Sequence, residues 1–340
     1  MAGLREVAEL AGVSVSTVSR FLAGKLAVKS ETEAAIRKAI EEFQYQPNLV
    51  ARSLREGTTR TIGVVVPNVH NPLFSEMTRG MLDVFEQCSY FYFFFPSLSR
   101  LDSEKSFCKT LAQKRFDGAI FLSRPKDGDP EERHVFDLMK LGIKVVFLNR
   151  AFGTLPVCEI YADHQFGTYA ATSHLLSQGR RRIGFLLGRD RSHLDSIVRL
   201  RGYRQALYEA GQQVDNELVL EANWTFEDAL ARCPALLAKR VDGLVCANDL
   251  MAAGALKSIV CSGFKVPEDV AVVGYGDTGV SQMVTPELTS VFQNSVGIGQ
   301  RAAEVLLALL NGAETKTVQE CIPVSLRIRA SAPVGSSVGD

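Results

Sequence analysis

Apolar residues recur along this chain in two rhythms, and the change near residue 60 divides it. In the first sixty residues they return every third or fourth position: Leu4, Val7, Ala8 and Ala11, then Val18, Phe21 and Leu22, then Ala34, Ile36, Ala39, Ile40 and Phe43. That spacing lines one face of a helix. Three short amphipathic helices are expected, each too short to stand alone and closed against the others as a small all-α bundle. Gly12 breaks the first, and Ser14 opens the second with a hydroxyl placed to accept an N–H of the first turn. Ser30-Glu-Thr-Glu33 reads as a capping box opening the third.

Beyond residue 60, continuous apolar runs bounded by Gly, Pro, Asn and Asp alternate with stretches of helical period. Strands are expected at residues 61–67, 90–95, 118–122 and 144–148, and again at 182–188, 241–247 and 270–274. Helices are expected near 72–87, 102–114, 130–141, 164–177, 198–210, 225–239 and 249–262. Unbroken apolar strands separated by helices imply parallel sheets covered on both faces. The rhythm restarts once, so the α/β core is read as two doubly wound parallel-sheet lobes with a cleft between them. The aromatic run at 90–95 is expected to be a buried strand.

Open α/β sheets bind ligands beyond the carboxyl ends of their strands. The residues there are polar: Asn68 and Asn71, Asn149 and Arg150, Arg189 and Asp190, Asn248 and Asp249, and Asp277. Each alone serves equally well as a helix cap; as a set converging on one cleft they read as hydrogen-bonding partners for a small polar molecule.

In the N-terminal bundle, the second helix turns Ser16, Thr17, Ser19 and Arg20 away from its apolar face. Two helices joined by a tight Gly turn, the second presenting small hydroxyls and a guanidinium, have the geometry of a helix-turn-helix that enters a DNA major groove. Arg pairs bidentately with guanine O6 and N7. Residues 1–60 hold nine Lys or Arg against seven Glu. So small a surplus leaves affinity to placed contacts and to two copies acting together.

Composition narrows the alternatives. The 340 residues are 46% hydrophobic with no net charge, enough for a small module plus larger ones. No apolar run approaches the roughly 20 residues of a membrane span, and no charged segment leads into an apolar run at the N-terminus, so a cytoplasmic protein without membrane contact is expected. Seven scattered cysteines without CxxC spacing read as reduced thiols. The five histidines, His70, His134, His164, His174 and His193, show no constellation and are expected at the surface or in caps. There is no GxGxxG after the first strand, no P-loop, no GxSxG and no HExxH, so neither an enzyme nor a cofactor or metal site is indicated.

The run Leu4-Arg-Glu-Val-Ala-Glu-Leu-Ala-Gly-Val-Ser-Val-Ser-Thr-Val-Ser-Arg20, followed by Tyr45-Gln-Pro-Asn48 and Ala51-Arg-Ser-Leu54, closely resembles the headpiece and hinge of the lactose/galactose repressor (LacI/GalR) family of bacterial transcription regulators. The likeness extends more loosely over nearly the whole chain, whose core resembles periplasmic binding proteins. It implies a headpiece at 1–47, a hinge at 48–60 that folds on DNA, and a core at 61–330. Within the core it implies one lobe at about 61–160 and 292–322 and the other at about 161–291 and 323–330, before a flexible tail at 331–340. DNA contacts are implied at Leu4, Ser14, Val15, Ser16, Thr17, Ser19, Arg20, Asn48, Ala51 and Leu54, the last as an apolar wedge in the minor groove. Effector contacts are implied at Asn71, Phe74, Asn149, Arg150, Arg199, Trp224, Asn248 and Asp277.

Two departures from the family stand out: Gly276 replaces a frequent aspartate that holds sugar hydroxyls, and Ala23 replaces a frequent asparagine in the headpiece. The implied function is a homodimeric repressor of a carbohydrate or related catabolic operon. It binds near-palindromic double-stranded operator DNA under control of a small polar effector such as a sugar, polyol or sugar phosphate. A transport solute-binding protein is the alternative the core allows and the helix-turn-helix opposes.

Overall fold

A computed structural model describes residues 3–22, 26–45, 57–88, 90–122, 132–150, 157–189, 194–313 and 317–334. Two compact units result, Met1–Thr59 and Arg60–Asp340.

The first unit holds helices α1 (Leu4–Leu10), α2 (Val15–Leu22) and α3 (Ser30–Glu42). Val7, Ala8, Ala11, Val18, Ile36 and Ala39 make its core, with Leu4, Phe21, Leu22 and Ile40 packed around them. The three-and-four spacing thus identified the buried face, with two corrections: Ala34 and Phe43 are exposed, and Ala35 packs instead. Ser14 caps α2 as expected, its Oγ accepting the Thr17 N–H at 3.1 Å. The capping box at Ser30 does not form. Lys29 is the N-cap of α3 and makes no side-chain cap bond, while Glu33 pairs with Arg37 one turn on at 2.7 Å.

Among the described residues, the second unit holds twelve strands in two six-stranded sheets. Strands β1 (Thr61–Val66), β2 (Phe91–Pro96), β3 (Gly118–Leu122), β4 (Lys144–Leu148), β5 (Cys158–Ala162) and β11 (Gln319–Ile322) form the first, in the order β11-β5-β4-β3-β1-β2, parallel throughout. Strands β6 (Ile183–Gly188), β7 (Val219–Ala222), β8 (Gly243–Cys246), β9 (Ala271–Gly276), β10 (Thr289–Phe292) and β12 (Ser325–Arg327) form the second, in the order β12-β10-β9-β8-β6-β7. Among the described residues, only the β10–β12 pairing is antiparallel.

Helices α4 (Pro72–Phe85), α5 (Leu101–Gln113) and α6 (Arg133–Lys140) belong to the first lobe. Helices α7 (His164–Ser177), α8 (Leu194–Glu209), α9 (Phe226–Leu237), α10 (Asp249–Cys261) and the short α11 (Val280–Met283) belong to the second. Helix α12 (Ser295–Leu310), which the apolar rhythm did not single out, returns to pack on the first sheet, with the Leu306 side chain beside Gly118 of β3.

The aromatic strand corrects the sequence reading. β2 is the edge of its sheet, and Phe91, Phe93 and Phe94 are 55%, 49% and 40% exposed. Apolar content favours a strand without saying where in the strand order it lies. Long apolar edges invite pairing with another chain.

A recognition helix and an interlobe pocket

In the first unit, the surface of α2 presents Val15, Ser16 and Arg20 exposed, with Thr17 and Ser19 half-buried beside them. Val18 is fully buried beneath. The Ser14 and Thr17 hydroxyls lie 2.8 Å apart, so two polar groups at the start of α2 are held in a fixed relation. Leu4 packs against the bundle core, which makes it a support for α2 as much as a surface group. Asn48, Ala51 and Leu54 lie outside the described residues.

In the second unit, one pocket opens where strands of both sheets end. It encloses about 1010 Å³ of empty space, including the solvent at its mouth. The first lobe supplies Asn68, Asn71 and Phe74 after β1, Ser99 after β2 and Asn149 after β4. The second supplies Asp195 and Arg199 after β6, Asn223 and Trp224 after β7, Asn248 and Asp249 after β8, Tyr275 and Thr278 at the end of β9, and Gln293 after β10. This is the location that open α/β sheets provide for ligands.

Caps and pocket groups are the same residues here. Asn71 accepts the Leu73 N–H at 3.1 Å and Asn248 the Met251 N–H at 2.7 Å, each opening a helix while lining the pocket. Asn248 also donates to the Trp224 carbonyl at 3.0 Å, fixing a residue whose φ of 63° lies in the left-handed region. Non-Gly residues in that region cost of order 1 to 3 kcal/mol and cluster at functional sites. Gly188 makes room for the indole: a Cβ at that position would come within 1.9 Å of the ring. Asn149, with φ 51°, accepts the Ala162 N–H at 3.2 Å.

Arg199 is buried beneath these groups. Its guanidinium lies 4.0 Å from the Tyr275 ring centroid and 5.5 Å from that of Trp224, and it donates to the Ala247 carbonyl. Its Nε has no hydrogen-bond partner among the described residues. Asp195, one turn earlier, faces His164 at 3.6 Å and is not its ion-pair partner. Arg199 also reaches His164 Nδ1 at 3.2 Å. A guanidinium only donates, so Nδ1 accepts, and the neutral imidazole carries its proton on Nε2. Burial, with the Arg199 charge adding to it, lowers the His164 pKa to about 4. This histidine is therefore buried at the site and neutral, not on the surface. Sequence reading missed it because β5, whose end places it, carries Glu159 inside a short run.

Two residues expected at the effector do not line the pocket. Arg150 points away from Asn149 into the first lobe, where it pairs with Glu104 at 2.5 Å and with Glu132, under the Phe121 and Phe147 rings. Its side chain is fully buried, so the neighbouring carboxylates, not a ligand, take its charge. Glu104, Glu132 and His134 bring ligand atoms within 4.8 Å of one another, a grouping able to hold a metal, but Arg150 already lies on both carboxylates. Asp277 pairs with Arg329 at 2.6 Å and accepts from Ser281 at 3.0 Å.

Asp249, one of the strand-end polar residues expected at the cleft, is a buried carboxylate of the pocket wall. It accepts from Ser290 at 2.6 Å and from the Thr278 N–H at 2.7 Å; burial raises its pKa despite these bonds. Gly276 has φ +120°, strained for any other residue, which accounts for the absence of a side chain there.

Residues 3–48 match the bacterial regulatory proteins of the lacI family, and residues 172–332 match the periplasmic binding protein-like domain. The chain is 29% identical over 328 residues to catabolite control protein A of Priestia megaterium, covering 96% of this chain and 98% of that one. It is 32% identical over 313 residues to the HTH-type transcriptional repressor PurR of Haemophilus influenzae, covering 90% of each. A crystal structure of the lac repressor dimer bound to operator and the anti-inducer ONPF superposes with a TM-score of 0.86 at 28% identity, over 98% of this chain and 99% of that one.

Proposed function

Since the chain belongs to the LacI family of DNA-binding transcriptional repressors with a ligand-binding core, we propose that it represses a carbohydrate-catabolic operon. It does so as a cytoplasmic homodimer, released from or held on its operator by a small sugar-like effector. No described helix is long and apolar enough to cross a membrane.

The observation that carries this reading is the convergence of strand-end groups from both lobes on one pocket. Asn68, Asn71, Asn149, Asn223, Asn248 and Gln293 surround it with carboxamides that both donate and accept, as a hydroxyl-rich ligand requires. Phe74, Trp224 and Tyr275 supply apolar faces for the C–H side of a ring. Arg199 holds ligand oxygens through its buried guanidinium. Binding between the lobes biases their relative closure, and with it the two headpieces of a dimer. The exposed phenylalanine edge of β2 is the surface we assign to the second copy. On α2, Ser16, Thr17, Ser19 and Arg20 read the major groove, with Ser14 and Val15 beside them. Asn48, Ala51 and Leu54 complete the contacts by family likeness.

Arg199→Ala tests the pocket. A hydrogen bond to a charged group is worth about 1.5 to 3 kcal/mol, so the effector midpoint for changing operator affinity should rise about tenfold to a hundredfold. Operator affinity without effector stays that of the parent. Titration of operator binding by fluorescence anisotropy reads both quantities, and a mutant with the parent's midpoint sinks the assignment.

A further inference from the structure

Buried cations are usually held by a carboxylate. Among the described residues, Arg199 is the only Lys or Arg lining the interlobe pocket, and its hydrogen bonds go to uncharged acceptors instead: the Ala247 carbonyl and, at 3.2 Å, Nδ1 of His164. Resting on the reading of Arg199 as the effector anchor, we propose that His164 is a positioning residue for effector binding: its Nδ1 aims the Arg199 guanidinium without neutralising it, which keeps the charge for ligand oxygens.

Three elements of the second lobe meet at this imidazole. Helix α7 supplies His164 in its first turn, α8 supplies Arg199, and β9 supplies Tyr275, whose hydroxyl lies 3.0 Å from the same Nδ1. Arg199 only donates, so Nδ1 bears no proton and the Tyr275 hydroxyl donates to it as well. Tyr275 is itself fixed against α7, since a Cβ on Gly167 would come within 2.6 Å of its hydroxyl oxygen. The Arg199 guanidinium lies 4.0 Å from the centroid of that ring. Its end is held by the imidazole and its face by the tyrosine.

Charge separates this arrangement from a structural ion pair. A carboxylate at the place of Nδ1 would orient the guanidinium equally well, but it would cancel the field offered to a ligand. The acids nearby are directed elsewhere. Asp249 accepts from Ser290 and Thr278, Asp163 caps α7 through the Phe166 N–H, and Asp195 faces His164 Nε2 at 3.6 Å. A carboxylate facing Nε2 favours the tautomer that keeps its proton there, so Nδ1 is left to accept. Burial first, then the Arg199 charge, against an opposing pull from Asp195, lowers the His164 pKa to about 4, and the imidazole stays an acceptor at ordinary pH.

The test compares substitutions at His164 in the full-length chain. Asn carries an uncharged oxygen at the place of Nδ1, Asp puts a charge there, and Leu offers no acceptor. The probes are glucose, galactose, ribose, maltose and lactose in calorimetric titration, the tightest of them serving for the variants. His164→Leu and His164→Asp should each weaken that sugar about tenfold or more, while His164→Asn stays within about twofold of the parent. A merely structural histidine would not separate Asn from Asp, two side chains of one size. A long-range proton–nitrogen NMR spectrum of the parent should show His164 neutral, with its proton on Nε2, from about pH 5.5 to 8. A proton on Nδ1 overturns the proposal, and so do equal affinities in His164→Asn and His164→Asp, whether high or low; neither outcome needs His164→Leu to fold. If no sugar binds, the carbohydrate reading falls by itself, and the Arg199 Nε and Nη signals decide the positioning. They should be distinct in the parent and in His164→Asn and averaged by rotation in His164→Leu; the same signals in all of them overturn it.

Discussion

Arg20→Ala will lose specific operator binding and keep a folded core. The guanidinium stands exposed on α2, whose other face is locked into the bundle by Val18, Phe21 and Leu22. Nothing in the bundle core depends on it. A bidentate contact to guanine discriminates by about 1 to 3 kcal/mol, hence about 2 to 6 kcal/mol for the two half-sites of a dimer, roughly 30-fold to 10⁴-fold in affinity. The loss should be specific: affinity for the operator falls toward that for unrelated duplex, with the salt slope little changed. Arg37, paired with Glu33 on α3, is the matched control, and Arg37→Ala should keep discrimination. A uniform fall across all sequences with a salt slope lower by about one would instead place Arg20 on a phosphate.

The largest effect on stability is expected at Arg150, whose substitution leaves Glu104 and Glu132 buried without their cation. Breaking a buried pair by removing one partner costs about 3 to 5 kcal/mol. Arg150→Ala should therefore lower the urea midpoint of the core strongly at pH 7. The pH dependence has a definite sign. Burial alone would raise the Glu104 carboxyl, but Arg150 and His134 beside it bring it below its ordinary 4.5. A carboxyl depressed in the folded state stabilises above its unfolded pKa, and that stability is lost as pH falls through the folded value. The parent should thus lose stability below about pH 4.5 more steeply than a double variant Arg150→Met/Glu104→Gln. An Arg150→Ala midpoint within the error of the parent's would show that the cluster is not held by this charge.

How much of this was legible in the chain depends on the kind of information each feature needs. Helix spacing found the headpiece, and apolar runs found β1, β3, β4, β6, β8 and β9, because a strand covered on both faces must be apolar throughout. The same rule misplaced β2, since strand order decides exposure. It also missed β5, β7 and β10, runs of four or five residues of which β5 and β7 are interrupted by Glu159 and Glu221. Losing β5 cost His164, the buried imidazole held against Arg199. Asn71, Asn149, Arg199, Trp224 and Asn248 were legible as strand-end groups or by family likeness, and Phe74 by likeness alone; all six line the pocket. Arg150 and Asp277 were not separable from them, because adjacent residues at a strand end point to opposite sides and only tertiary partners, Glu104 and Arg329, settle which side faces the ligand.

The central claim is that one chain couples a sugar in the interlobe pocket to operator DNA on the headpiece. Its most direct test is a reciprocal titration: operator affinity with and without the tightest-binding sugar of a panel, and sugar affinity with and without an operator recovered from a random duplex pool. Coupling free energies of this kind are about 1 to 3 kcal/mol, so each affinity should change by a factor of roughly 5 to 150. Thermodynamic linkage makes the two factors equal, and the recovered operator should be near-palindromic. Affinities that each ignore the other ligand, or a recovered duplex without a symmetric site, would contradict the account.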